Sequence, residues 1–172
     1  MNTMEANEVM EDRFDAFYQQ QLPLVFAAAL ARCQNRTLAE DLAQETLLRA
    51  WRHFDTLRQR DVNAQRAWLL RTLRHRAIES WRQQRQERPE CSESLECVAN
   101  GESADDGTSA ALRMDVLAAL GQLTPDDREI VVLRYFLDLS SRDIAAVVGV
   151  PDGTVRRRLA QCRRKLADSL ED

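Results

Sequence analysis

Several residue types on which enzymes depend are scarce in this chain. Its 172 residues include only five glycines and two histidines. Gly-rich phosphate loops and imidazole chemistry therefore have little to build on, and the composition speaks against a metalloenzyme or a nucleotide-cradling enzyme. His53 and His75 lack the neighbours of a triad or ligand cluster, so no catalytic residue, cofactor or metal is expected. The four cysteines, Cys33, Cys91, Cys97 and Cys162, show neither a disulfide framework nor paired metal spacing. Cys91 and Cys97 read as incidental thiols in preference to a redox or metal sensor. No apolar run approaches the roughly 20 residues that span a bilayer. The opening Met1-Asn2-Thr3-Met4-Glu5 turns acidic where a secretory signal would be apolar, so the expected compartment is the cytoplasm. Strand-like alternation and internal repeats are absent.

What is present is charge, and it is unevenly distributed. Charged residues make up 30% of the chain and hydrophobic residues 44%, as in a soluble globular protein. The formal net charge is -4. Residues 86–112 hold seven acids (Glu87, Glu90, Glu93, Glu96, Glu102, Asp105 and Asp106) against one arginine. By contrast, residues 49–88 hold 11 arginines against four acids, and residues 154–167 hold six bases and no acid. Clusters of this kind are candidate phosphate footprints despite the acidic total.

The hydrophobic period is helical nearly throughout. Leu22, Val25, Phe26, Ala29, Leu30 and Cys33 share one face. Thr37, three residues before Glu40, reads as a capping box. The next helix places Leu38, Leu42, Thr46, Leu47, Ala50, Trp51 and Phe54 inward, and a third runs from about Ala64 to Gln86. Residues 88–109, with Pro89, Gly101, Gly107 and the acidic excess, read as a flexible linker. Thr124-Pro125-Asp126-Asp127 then signals a helix start, with a capping hydroxyl, Pro in the first turn and acids facing the dipole. The expected architecture is all-α: two small helical domains, 10–87 and 110–172, joined by the linker 88–109.

Two motifs carry functional information. Ser140-Ser141-Arg142-Asp143 opens a short helix with Ile144, Ala145 and Val148 on one face, and Gly149 can end it in the left-handed conformation. Val150-Pro151-Asp152-Gly153 makes the turn and Thr154 can cap a basic second helix that buries Val155, Leu159, Cys162 and Leu166. This is helix-turn-helix spacing. Arg156, Arg157, Ala160 and Gln161 face outward, with Arg158, Arg163 and Arg164 to the sides. In the N-terminal half, Asp41, Gln44, Glu45, Leu48, Arg49 and Arg52 form a second stripe beside the buried one, a mixed face with an apolar centre that suits a protein partner. The next helix presents Arg71, Arg74, His75, Arg82 and Arg85 on an outer stripe suited to nucleic acid.

Asp41-Leu42-Ala43-Gln44-Glu45-Thr46-Leu47-Leu48-Arg49-Ala50-Trp51 resembles the region-two helix of bacterial extracytoplasmic-function (ECF) sigma factors. Arg66-Ala67-Trp68-Leu69-Leu70-Arg71-Thr72-Leu73 resembles the promoter-melting segment that follows it. Leu123 to Leu166, with Ile144-Ala145 and Gly153-Thr154-Val155, resembles region four. The resemblance implies a transcription initiation factor whose partners are core RNA polymerase (its beta-prime clamp helices and beta flap), promoter DNA and an anti-sigma factor, with no small-molecule substrate. Asp41, Gln44, Glu45, Leu48 and Arg49 would bind the polymerase. The loop at Asp61–Ala64 would hold an extruded base, and Asn63, Trp68, Arg71, Arg74, His75 and Arg82 would serve the minus-ten element and melting. Thr154, Arg156, Arg157, Arg158 and Gln161 would read the minus-thirty-five element. Departures from the family pattern are His75 for the usual Asn, Arg157 for a small residue, Gln161 for a common basic residue, and Ser80-Trp81 for a Tyr-Leu-like pair. The alternative from the residues alone is a stand-alone helix-turn-helix regulator that binds an operator as a dimer.

Overall fold

A computed structural model describes residues 3–87, 116 and 118–171. The expected linker, with Cys91 and Cys97, lies outside the described residues. All regular elements among them are helices. Helix α1 (Thr3–Cys33) runs 31 residues with Pro23 inside it. Its end is set by Gln34, whose φ of 51° is left-handed and whose N–H donates to Leu30 O at 2.9 Å. Helix α2 (Arg36–Arg52) follows at once, capped by Asn35, which accepts from Leu38 N at 3.0 Å. The cap thus sits two residues before Thr37, the position expected from the sequence: Asn35 has the extended backbone a cap requires, and Thr37 is already helical. A short helix α3 (Phe54–Leu57) turns the chain into α4 (Val62–Glu87). Asp61 caps α4 by accepting from Ala64 N at 3.0 Å.

Residues 118–121 are helical and lead into α5 (Pro125–Tyr135), α6 (Ser141–Val148) and α7 (Asp152–Glu171). Thr124 caps α5 as the sequence suggests, accepting from Asp127 N, and α6 begins where the sequence places it, with Ser140 accepting from Asp143 N. Gly149 ends α6 at φ 75°. Thr154, by contrast, does not cap α7. The helix starts at Asp152, and the Thr154 N–H already bonds to Pro151 O at 2.9 Å.

The N-terminal core joins Val25 and Ala29 of α1, Leu42 and Leu47 of α2, and Leu69, Leu70 and Leu73 of α4. Phe14 meets Phe54 edge-on at 5.1 Å and Trp51 at 4.8 Å. Trp51 was expected inside, but it closes the rim of this aromatic cluster and stays 39% exposed. Leu38 is only half-buried. In the C-terminal half, Ile130, Leu133, Ile144, Val155, Leu159 and Cys162 fill the centre. The two cores are continuous: α1 packs on α5 and α4 packs on α6. The halves therefore lie against one another. Among the described residues, no helix is long and apolar enough to cross a membrane, and no group of three His, Cys, Asp or Glu could hold a metal ion.

Candidate nucleic-acid interface

Helix α2 presents Asp41, Gln44, Leu48 and Arg49 to solvent on one face while Leu42, Ala43, Thr46, Leu47 and Ala50 are buried on the other. Leu48 is 52% exposed at the middle of the polar stripe. A leucine so placed keeps apolar surface in water, at a cost that a covering partner removes. Glu45 is less available. Its carboxylate accepts from Arg76 of α4, which also bonds Glu79. The Glu45 contact, outweighing partial burial, holds the Arg76 guanidinium above its ordinary pKa.

Beside this face, His53, Thr56, Leu57, Arg60 and Trp68 line a cavity of about 150 Å³. His53 meets the Trp68 ring edge-on at 6.0 Å. The turn that forms one wall is tied down by Gln65, whose side-chain N–H groups donate to Leu57 O at 3.3 Å and Arg60 O at 2.9 Å. An aromatic face, an imidazole and an arginine around one opening can stack on and hydrogen-bond a planar base. Of these five residues only Trp68 stood among the site residues expected from sequence. Asn63 lies exposed in the first turn of α4, outside the lining. His53, Thr56 and Arg60 carry no motif of their own, and only the break between α2 and α4 brings them together.

On α4, Arg71, His75 and Arg82 are exposed as expected. Arg74 is not part of that outer row. It turns toward the C-terminal half, where it bonds Glu129 and, at 3.1 Å, Asp126. Arg32 of α1 reaches the same two carboxylates at 2.6 and 3.2 Å, with its guanidinium 5.4 Å from the Trp81 ring centroid. Burial pushes the Glu129 carboxyl up, and the guanidiniums of Arg32 and Arg74 draw it back toward ionisation. At Asp126 burial also pushes upward, but Arg74 and Arg32 outweigh it and hold the group below the usual carboxylate range. The neighbouring Arg128 is buried and donates to four carbonyls: Leu120, Gly121, Leu123 and, across the interface, Ala31. Burial lowers its pKa.

Helices α6 and α7 form the helix-turn-helix. Val155, Leu159 and Cys162 are buried against α5 and α6, and Arg156, Arg157, Ala160, Gln161, Arg163 and Arg164 are exposed. Arg156 bonds Asp152 one turn back at 2.8 Å. Arg158 is half-buried and lies 3.7 Å from Asp127 of α5. Thr154 is half-buried in the first turn.

Comparison with known proteins bears on both halves. Residues 17–87 match the family model described as Sigma-70 region 2, and residues 113–166 match Sigma-70, region 4. The chain is 29% identical over 157 residues to the ECF RNA polymerase sigma factor SigL of Mycobacterium tuberculosis, covering 91% of this chain and 88% of that one. It is 36% identical over 137 residues to SigC of the same species, covering 77% and 70%. Its fold is similar to that of the sigma factor RpoE of Bartonella quintana, solved with the anti-sigma factor NepR. There the TM-score is 0.76 at 25% identity, over 92% of this chain and 97% of that one. A stand-alone operator-binding regulator would not carry the region-two half, and that reading is not favoured. With both regions present in order and relatives matched across nearly its whole length, the chain belongs to the ECF sigma factors, which bind core RNA polymerase and direct it to specific promoters.

Proposed function

We propose a division of labour among three faces. The face of α2 formed by Asp41, Gln44, Leu48 and Arg49 docks on the beta-prime clamp helices, with Glu45 contributing once Arg76 releases it. The cavity beside Trp68 receives an unstacked base of the minus-ten element, and Asn63, Arg71, Arg74, His75 and Arg82 serve the strand around it. Helix α7 enters the major groove at the minus-thirty-five element, with Arg156, Arg157 and Gln161 toward base edges and Thr154 and Arg158 toward phosphates. The C-terminal half also meets the beta flap. These roles assign residues 10–87 to the polymerase and the minus-ten element, 88–109 to a connecting linker, and 110–172 to the minus-thirty-five element. The protein acts in the cytoplasm without catalytic chemistry of its own. An anti-sigma factor restrains it, as NepR partners the similar RpoE.

The observation that carries this reading is the contrast along α2, where Leu48 stands exposed between polar neighbours while Leu47 beside it is fully buried. The test is reconstituted transcription. Purified chain added to bacterial core polymerase should start transcription at a promoter that core alone ignores, and Leu48→Ala should abolish this at limiting concentrations. Full activity of Leu48→Ala at every concentration would remove α2 from the polymerase interface.

A further inference from the structure

The cavity beside Trp68 has two walls from different parts of the chain. His53, Thr56, Leu57 and Arg60 belong to the stretch from the end of α2 through α3 and the turn after it, and Trp68 belongs to α4. Gln65 joins the two walls. It lies in the first turn of α4, three residues before Trp68, and a long side chain on a helix leans toward the helix N-terminus, which here means over the turn. Its Nε2 donates to Arg60 O at 2.9 Å and to Leu57 O at 3.3 Å. Both hydrogens of one amide are thus spent on carbonyls of two lining residues. Leu57 ends α3, so its carbonyl is one that a helix terminus leaves without an intrahelical partner. Burial anchors the turn at Leu57, which is 2% exposed. Arg58, Gln59 and Arg60 beyond it are exposed, and packing fixes them little. The amide of Gln65 supplies what packing does not, and it adds no charge at the mouth of the cavity.

From this geometry we infer that Gln65 is a positioning residue for base capture: its amide keeps the turn after α3 in the shape that sets Arg60 and Thr56 around the Trp68 ring, so that the cavity is formed before a strand arrives. The inference rests on the reading of the cavity as a base site given above. Gln65 is not among the lining residues, so it acts through the turn and not by touching the base. A preformed cavity spares the strand the cost of ordering the turn. If the turn is ordered in only a fraction of the molecules, affinity for the base falls by that fraction. The two carbonyls lie near the surface, where water can replace a lost donor, so the shape of the turn depends on Gln65 far more than the stability of the fold does. Neither the outward face of α2 nor that of α7 is touched by these bonds.

The experiment uses the full chain assembled with core polymerase and labelled non-template single strands spanning the minus-ten element of a promoter that this holoenzyme opens. One strand is intact, and the others each carry one abasic site. In wild type, an abasic site at the captured position should cost about tenfold or more in affinity. Gln65→Met keeps the length of the side chain and removes both donors. It should lower affinity for the intact strand by about fivefold and leave affinity for that abasic strand unchanged. Gln65→Lys returns N–H donors to the same reach and should restore most of the intact-to-abasic ratio. The added charge acts on both strands alike and cancels in the ratio. If Gln65→Met loses its helical circular dichroism, Gln65→Glu carries the same test, because a carboxylate cannot donate to the two carbonyls. A wild-type ratio in Gln65→Met, or an equal loss on intact and abasic strands, would overturn the positioning role while the cavity stands as a base site. A wild type indifferent to every abasic site would remove the base site, and the role of Gln65 with it.

Discussion

Arg156 and Arg157 on α7 stand in solvent, whereas Arg74 and Arg76 on α4 are each held by carboxylates from another helix. Both helices are arginine-rich, and both carry an outward polar stripe beside a buried apolar one. The difference lies in what faces them. On α7 no described element faces the outward side, and its ion pair within the helix, Arg156 with Asp152, is exposed and weak. On α4 two other helices approach the flanks: α2 brings Glu45, and α5 brings Asp126 and Glu129. An arginine count therefore reports how much positive charge a helix carries, but not how much of it is free to meet phosphate.

The largest loss is expected at Arg128, an arginine with a purely architectural environment. Its guanidinium satisfies Leu120 O and Leu123 O at 2.8 Å each, as well as Gly121 O and Ala31 O. Arg128→Ala should destabilise the chain by about 3 kcal/mol or more, because it leaves buried carbonyls without a donor. Arg128→Lys should recover little, since an ammonium lacks the planar fork that reaches several carbonyls at once. Urea unfolding followed by circular dichroism measures both. A loss as small as that of an exposed arginine would mean that water replaces these bonds freely. The next effect is functional. Leu48→Ala should weaken core-polymerase binding by about 2 kcal/mol and shift the unfolding midpoint little, since the residue is 52% exposed in the free chain. Competition binding against labelled wild type reads it. Glu45→Ala is the less clean variant, because it also frees Arg76.

The helical period, the Thr124 cap, the helix start at Ser140 and the left-handed Gly149 were all legible in the sequence because each is a local property of a few neighbouring residues. So was the exposed stripe of α2, where two interleaved periods leave Leu48 outside. Local competition explains the errors. Asn35 and Thr37 are both capping residue types, and the cap went to the one that follows the left-handed Gln34. Asp152 opens α7 in place of Thr154 because Pro151 already accepts the Thr154 N–H. The closure of the two halves was not legible at all. Arg32 and Glu129 are 97 residues apart in the chain, and neither breaks the period of its own helix. The cavity beside Trp68 escaped notice for a similar reason, since its wall is a turn held by Gln65 and not a motif.

The exposed arginines of α7 also differ among themselves. Arg156→Ala should cost about 1–2 kcal/mol on the preferred minus-thirty-five sequence, in the lower part of the range for a bidentate base contact. The reason is competition: Asp152 holds the free guanidinium at 2.8 Å, and that bond must be exchanged for the guanine edge. The loss should fall on one base position, read by binding-site selection. Arg157→Ala should behave likewise at a neighbouring position without the offset, because no carboxylate among the described residues bonds it.

The smallest effect belongs to Arg158, which lies between the two classes. It is on α7, yet it is half-buried and 3.7 Å from Asp127, so part of its charge is compensated within the protein, as that of Arg74 is. The separation is long for a hydrogen bond, and both groups keep contact with water, which limits the coupling. Arg158 is therefore positioned for the phosphate flank of the groove while remaining only loosely restrained. Arg158→Ala should weaken all duplexes alike by less than about 1 kcal/mol at moderate salt and lower the salt dependence of binding by about one ion. Measuring affinity on matched and scrambled minus-thirty-five duplexes across a salt series separates this from base reading. If Arg158→Ala alone altered base preference, with Arg156→Ala changing only the salt slope, the groove-facing side of α7 would be rotated from the side that is most exposed in the free chain. Charge compensation by α5 would then mark the reading face of α7 and not its edge.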